Sequence, residues 1–197
     1  MEIEAELSKE EFEADKRRKV AKPLMWVGMV SIIMLFAGLT SAVIVRKGDG
    51  KWLHFELPDM FLWSTVIIVF SSITLLITNL AAKKNNVSSV KLGISGTLIL
   101  GILFVFTQLE GYQQLVDIGV YFTGAEQNAS GSYLYLISAV HLAHLAGGII
   151  ALLVVFFNAF KERYNSKNLL GLQVFSTYWH FLGAMWLYLY LFFRIII

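Results

Sequence analysis

Five long, predominantly apolar stretches alternate with short polar segments along the chain. A helix needs roughly 20 consecutive apolar residues to cross the hydrocarbon layer of a membrane, and each stretch is about that long. The pattern predicts an all-α, polytopic membrane protein with five transmembrane helices, at approximately residues 24–45, 60–82, 92–110, 133–160 and 172–195. Residues 23–197 would then form one five-helix membrane domain, with no proline in the interior of any span.

The composition agrees with this class and excludes several others. The 197 residues are 57% hydrophobic with a mean hydropathy of +0.65, which gives more apolar surface than a soluble domain could bury. The absence of cysteine excludes disulfides, iron–sulfur clusters and thiolate metal sites held by this chain alone. A net charge of +2 is too small to indicate a nucleic-acid partner.

Residues 1–22 form an arm of different character, strongly acidic over residues 1–15 and basic over residues 16–22. We expect a solvated arm, helical or disordered, with docking on a partner as the alternative. If the five spans alternate in direction, 12 of the 16 lysines and arginines lie on the side of the N-terminus. The positive-inside rule then predicts a cytoplasmic N-terminus.

Small residues recur every four positions on two of the predicted helices. They are Gly93, Thr97 and Gly101 on the third helix and Ala139, Ala143, Gly147 and Ala151 on the fourth. Such stripes allow helix backbones to approach closely within a membrane. They are typical of a compact bundle and equally of docking against a larger subunit.

Four polar residues within or near the spans could carry chemistry: Glu110, His141, His144 and His180. Polar groups in hydrocarbon need partners, so these side chains should pair with each other, contact backbone or line a cavity. Imidazoles on facing helices could also hold haem or a metal ion. The uneven depths of the three histidines favour a buried polar cluster over haem or metal ligation, and no catalytic motif is present.

The last three spans resemble subunit III of the haem-copper oxidases, the family of cytochrome c and quinol oxidases. The resemblance is carried by the Phe-Thr-Gln-Leu-Glu-Gly-Tyr sequence at residues 106–112 and by the His-x-x-His of residues 141–144. Its most specific part is Tyr-Trp-His-Phe at residues 178–181, followed by Trp186. Five helices would fit the short form of this subunit.

The resemblance implies an accessory, non-redox subunit of a terminal oxidase, which reduces oxygen to water and pumps protons. Such a subunit packs on subunit I and other oxidase subunits of the bacterial inner membrane, holds structural phospholipid and carries no haem or copper itself. No catalytic, cofactor-binding or metal-binding residue is therefore expected. A lipid cleft or buried polar cluster is expected at Glu110, His141, His144, Trp179, His180 and Trp186.

Two positions depart from the pattern that this family commonly shows. Ile32 and Gly183 stand where an acidic residue is usual, which puts a proton-antenna role for the first of these sites in doubt. The alternatives to the oxidase subunit are a related small subunit of a nitric oxide reductase complex, a stand-alone haem cytochrome and a transporter. The continuous, proline-free spans and the absence of internal repeats argue against a transporter.

Overall fold

The computed structural model describes residues 2–48, 50, 52–124, 128–164 and 169–197, which form an all-helical protein without strands in those ranges. The helices are α1 (Glu2–Lys47), α2 (Asp59–Lys83), α3 (Val87–Asp117), α4 (Ala129–Phe160) and α5 (Leu170–Ile196). Each contains a segment long and apolar enough to cross a membrane, beginning at Lys19 in α1. The predicted five-helix membrane fold is confirmed.

Helices α2 and α3 form a tight antiparallel hairpin. The connection turns at Asn85, whose φ of 55° lies in the left-handed region that asparagine tolerates. Asn86 then caps α3 by accepting a hydrogen bond from the Ser89 amide at 3.1 Å. Further along the pair, the hydroxyls of Thr74 and Thr97 lie 3.1 Å apart. Close backbone approach is possible because Gly93 and Thr97 of the α3 stripe face α2, while Gly101 faces Trp179 of α5.

Helices α2 to α5 form a closed ring in which each helix packs against two neighbours. Helix α1 lies outside this ring and, within the described residues, packs only against α4 and α5. Its inward side chains include Phe36 and Val43, each 1% exposed. Thr40 accepts a hydrogen bond from the Tyr188 hydroxyl of α5 at 3.2 Å. The bundle therefore has a four-helix core and one peripheral helix.

Two loop contacts fix the helix ends. Lys47 Nζ and Trp52 Nε1 both donate to the Ile196 carbonyl, at 2.8 and 3.0 Å, so the α1–α2 connection covers the last turn of α5. At the other end of the bundle, Lys91 Nζ donates to Glu162 Oε1 at 2.9 Å and ties the α4–α5 connection to α3. This contact lowers the pKa of the Glu162 carboxyl.

All five helices extend beyond the spans predicted from the sequence, and α1 and α3 do so furthest. Helix α3 covers residues 87–117 where 92–110 was expected, because Asn86 caps its start and polar residues after Glu110 continue the helix. Helix α1 covers the arm and continues through Pro23, so the expectation of proline-free spans is wrong. A proline removes only its own backbone donor, and the long helix around it keeps the remaining bonds. Hydropathy marks where lipid begins and does not mark where a helix ends.

Replacement of Gly93 tests the close packing of the α2–α3 hairpin. A Cβ atom at residue 93 would overlap Thr78 Oγ1, which itself donates to the Thr74 carbonyl at 2.7 Å. We expect Gly93→Ala to lower the free energy of unfolding by about 1–3 kcal/mol, measured by denaturation in detergent micelles. The control is Gly96→Ala on the same helix, which has open space and should be neutral or stabilising. Equal losses in both variants would contradict the packing.

Candidate functional site

His141 lies in the interior of the bundle, where side chains from several helices meet. It is 1% exposed, and its Nε2 lies 3.1 Å from the Leu182 carbonyl of α5, to which it donates. Its ring centroid lies 6.3 Å from Phe36 of α1, 6.2 Å from Phe104 of α3 and 5.2 Å from Trp186 of α5. One imidazole on α4 therefore contacts three other helices.

Indole and amide groups connect α5 to α2 through three side-chain hydrogen bonds, here named the α2–α5 ladder. They run from Asn79 Nδ2 to Ser176 Oγ at 2.7 Å, from Trp179 Nε1 to Ser71 Oγ at 3.0 Å and from Trp186 Nε1 to Thr65 Oγ1 at 3.0 Å. Both tryptophans are almost completely buried. The ladder satisfies their N–H groups where water is excluded.

His144 and His180 are half-buried and have different surroundings. His144 Nδ1 donates to the Val140 carbonyl of its own helix at 2.8 Å, and its backbone carbonyl accepts from the Tyr178 hydroxyl at 3.2 Å. His180 Nε2 is buried without a hydrogen-bond partner in the described part of the chain. Across the described ranges, no group of three or more histidine, cysteine or acidic side chains is arranged to hold a metal ion.

Glu110 lies on the exposed surface of α3, away from this interior. The buried polar residue of the same segment is Gln108, whose Nε2 donates to Ser64 Oγ of α2 at 2.8 Å. Of the six predicted residues, the structure therefore buries His141, Trp179 and Trp186. A lipid cleft lined by all six stays a prediction.

A large apolar groove that the sequence did not predict lies between α1, α4 and α5. Its volume is about 850 Å³, and its walls include Val20 and Met25 of α1, Val154 and Val155 of α4, and Val174 and Tyr178 of α5. Because the Tyr178 hydroxyl bonds to the His144 carbonyl, the groove borders the predicted polar cluster. These valines belong to no sequence motif that could predict a groove. The groove becomes apparent only from the structure, in which α1 lies outside the ring of α2 to α5.

The mouth of the groove at the end nearest the N-terminus carries polar groups. Lys16 of α1, Asn158 of α4 and Tyr164 of the α4–α5 connection line it. Burial raises the pKa of the Tyr164 hydroxyl, so this group is a neutral phenol at physiological pH. The groove therefore combines long apolar walls with a cationic and hydrogen-bonding rim.

A family model described as cytochrome c oxidase subunit III matches residues 53–196, which include α2 to α5 with the whole ladder and His141. The chain belongs to the cytochrome c oxidase subunit III family. The family resemblance predicted from the sequence is confirmed. An accessory oxidase subunit is thereby favoured over a nitric oxide reductase subunit, a stand-alone cytochrome and a transporter.

Curated relatives carry the same description and match over most of their length. Cytochrome c oxidase subunit 3 of Corynebacterium diphtheriae is 29% identical over 167 residues, which cover 81% of this chain and 80% of the relative. The probable subunit 3 of Nocardia farcinica is 29% identical over 175 residues, covering 85% and 82%. Subunit 3 of the insect Spodoptera frugiperda is 28% identical over 137 residues, covering 70% and 87%.

The two departures from the subunit III pattern lie in apolar or crowded surroundings. A Cβ atom at Gly183 would lie 3.2 Å from Ser72 Oγ and 3.5 Å from Ile68 Cγ1 of α2, so a longer acidic side chain would require movement there. Ile32 is half-buried and packs against the hydrophobic core. An apolar residue at 32 needs no polar partner in lipid.

Truncation of His141 tests its role as a contact between helices. His141→Ala removes the bond to the Leu182 carbonyl and leaves a cavity among three aromatic rings, so we expect a loss of about 2–4 kcal/mol in unfolding free energy. His144→Ala is the comparison and should cost less than about 1 kcal/mol, because its imidazole bond lies within one helix and its half-buried ring, 5.8 Å from Phe36 of α1, contacts fewer helices. Denaturation of both variants in detergent micelles would measure the difference, and similar losses would contradict the role.

Proposed function

We propose that this chain is the accessory, non-redox subunit III docked on the catalytic haem-copper subunit of a terminal oxidase. The match of residues 53–196 to the cytochrome c oxidase subunit III model carries this proposal. Oxygen reduction and proton pumping take place in the partner subunits, while this chain stabilises the assembly. The membrane is the bacterial inner membrane, with the N-terminus in the cytoplasm as the lysine and arginine distribution indicates.

An exposed small-residue stripe on α4 supports docking against subunit I. Ala139, Ala143 and Gly147 repeat every four residues and are exposed, and a Cβ atom at Gly147 would meet nothing within 4 Å. These three residues are therefore not used for packing among the described residues, whereas Ala151, the fourth of the stripe, packs against the core. Exposed small residues let a helix of another subunit approach closely in lipid, where the hydrophobic effect does not drive association. We assign this face of α4 to contact with subunit I.

Gly147→Leu tests the α4 docking face. The added side chain has room within this chain, so the bundle should fold normally while a partner helix is held away. We expect the haem-copper subunit that copurifies with the tagged chain to fall at least fivefold, measured from the haem absorbance per tagged chain. The matched control is Gly38→Leu on α1, which also has open space and should copurify normally. Normal copurification of the Gly147→Leu chain would contradict the assignment.

The apolar groove supports a second role, the binding of structural phospholipid. Its volume of about 850 Å³ and its valine-rich walls suit acyl chains better than a polar ligand. Because α1, in the described ranges, packs on the ring only through α4 and α5, acyl chains in the groove would support the cytoplasmic half of α1. This proposed lipid position lies beside the polar cluster, and the lipid cleft expected at the cluster itself stays a prediction.

Filling the groove tests the lipid role. Val154 lines the groove and is 57% exposed, so Val154→Trp should fold and occupy the space of an acyl chain. We expect the purified complex to lose at least one tightly bound phospholipid and to inactivate several-fold faster during sustained turnover. Ile150→Trp adds the same bulk on α4 outside the groove and should change neither quantity. Phosphorus analysis and the decay of oxygen uptake measure both, and an unchanged lipid content would contradict the role.

A further inference from the structure

An open furrow, here named the α1–α2 furrow, runs along α5 between α1 and α2. In the described residues α1 and α2 do not pack against each other, although both pack on α5, which forms the floor. Two recesses lie along it, one of about 370 Å³ that reaches Thr177 of α5 and one of about 340 Å³ that reaches Ala184. His180 lies one helical turn from each of these residues and shares their face of α5. No described residue of α4 lines either recess, so the furrow is separate from the α4 docking face.

His180 is a polar group on this face of α5 without a partner in the chain. It is half-buried, and neither of its ring nitrogens has a hydrogen bond among the described residues. It lies ten residues after the start of α5 at Leu170, which is about 15 Å along the helix axis and half of a hydrocarbon layer about 30 Å thick. An imidazole without a hydrogen bond is strongly unfavourable near the middle of a membrane.

His141 provides the contrast. Its Nδ1 is the other buried side-chain atom without a partner in the described part of the chain. His141 is only 1% exposed, however, and its Nε2 already donates to the Leu182 carbonyl. No group from outside the chain can reach it. His180 is partly exposed, so its missing partner can come from outside the chain.

Acyl chains and bound water are poor partners for His180. Acyl chains carry no hydrogen-bonding group, and lipid head groups lie about 15 Å away at the membrane boundary. The hydroxyls one turn earlier on α5 are engaged, Ser176 with Asn79 Nδ2 at 2.7 Å and Thr177 with the Gln173 carbonyl at 2.9 Å. Because a buried water typically makes about three hydrogen bonds, the described groups at this level are too few to hold one. A polar side chain on another protein helix is the better partner.

The residues on either side of His180 allow a helix to approach. Thr177 and Ala184 are small, and Ala184 is exposed. Helices in lipid approach closely at small residues, where hydrogen bonds between the helices add to the packing. A neutral imidazole offers one donor and one acceptor. Its best complement is therefore a hydroxyl or a carboxamide, each of which both donates and accepts.

We propose that the α1–α2 furrow seats a transmembrane helix of another oxidase subunit, and that a hydroxyl or carboxamide side chain of this helix hydrogen bonds to His180 near the middle of the membrane. The proposal rests on the accessory-subunit function above. It adds a second docking face and the chemistry of the helix that this face binds.

The experiment is site-specific photocrosslinking of the purified, tagged oxidase complex after dilution in detergent, followed by peptide mass spectrometry. The photoreactive residue p-benzoylphenylalanine replaces Leu187, which is 40% exposed and lies about two turns beyond His180 on the same face of α5. The control places it at Ile99 of α3, which is 66% exposed and lines neither recess. His180→Leu removes both ring nitrogens, whereas His180→Gln keeps a donor and an acceptor. Haem content and oxygen uptake of each complex are measured first.

We expect residue 187 to capture one transmembrane segment of another subunit, with a serine, threonine, asparagine or glutamine near its middle. His180→Leu should lower the crosslinked fraction about fivefold, the effect of one lost hydrogen bond, and His180→Gln should stay within about twofold of wild type. The crosslinker at residue 99 should not capture this segment. The isolated His180→Leu chain should be at least as stable in detergent as wild type, because it loses a polar group that has no partner within the chain.

Four results would overturn the proposal: a captured segment without such a side chain, capture of lipid alone or of a second copy of this chain, an unchanged yield in His180→Leu, or a less stable isolated His180→Leu chain. A complex without haem or oxygen uptake would instead contradict the proposed function, while the crosslink at residue 187 would still test this furrow.

Discussion

The structure depends on one constraint: polar groups inside a membrane bundle have no water to satisfy them, so they pair within the protein. Among the described residues, every buried side-chain nitrogen or oxygen except His141 Nδ1 and His180 Nε2 has a hydrogen-bond partner. Helix α5 carries two buried indoles, and the hydroxyls of α2 accept from both. Since α2 and α5 run antiparallel, these bonds fix the rotation and the register of α5 at the same time. His141 then joins α4 to the Leu182 carbonyl. The ring of four helices follows from these bonds together with the close α2–α3 contact.

The position of α1 outside that ring explains the surface features. Helix α1 contacts α4 and α5 through residues such as Phe36, while its N-terminal half borders the apolar groove on one side and a smaller space against α2 and α5 on the other. A peripheral helix with spaces on both sides buries less of its surface within the chain than the helices of the ring do. Ala139, Ala143 and Gly147 of α4 are also left exposed, the face that we propose contacts a partner helix.

Sequence reasoning found the five spans and the family, because apolar length and the Tyr-Trp-His-Phe motif are local signals. It also found His141, Trp179 and Trp186, which the structure buries. The sequence did not show whether Glu110 faces the interior or the surface of the bundle. A helix in lipid is apolar on both faces, so its hydrophobic periodicity does not indicate which face packs inward. The groove also escaped prediction, because its walls are ordinary valines. The extension of α1 through Pro23 depends on the surrounding helix and is not signalled by hydropathy.

The central claim is that this chain joins a haem-copper oxidase without ligating its cofactors. The most direct test is to purify the tagged chain gently from its membrane, record the optical spectrum, dissociate the complex and record the spectra of the separated subunits. We expect a Soret band in the intact complex that stays with the large partner, leaving this chain folded and colourless. A Soret band on the isolated chain, or purification without any haem protein, would contradict the account.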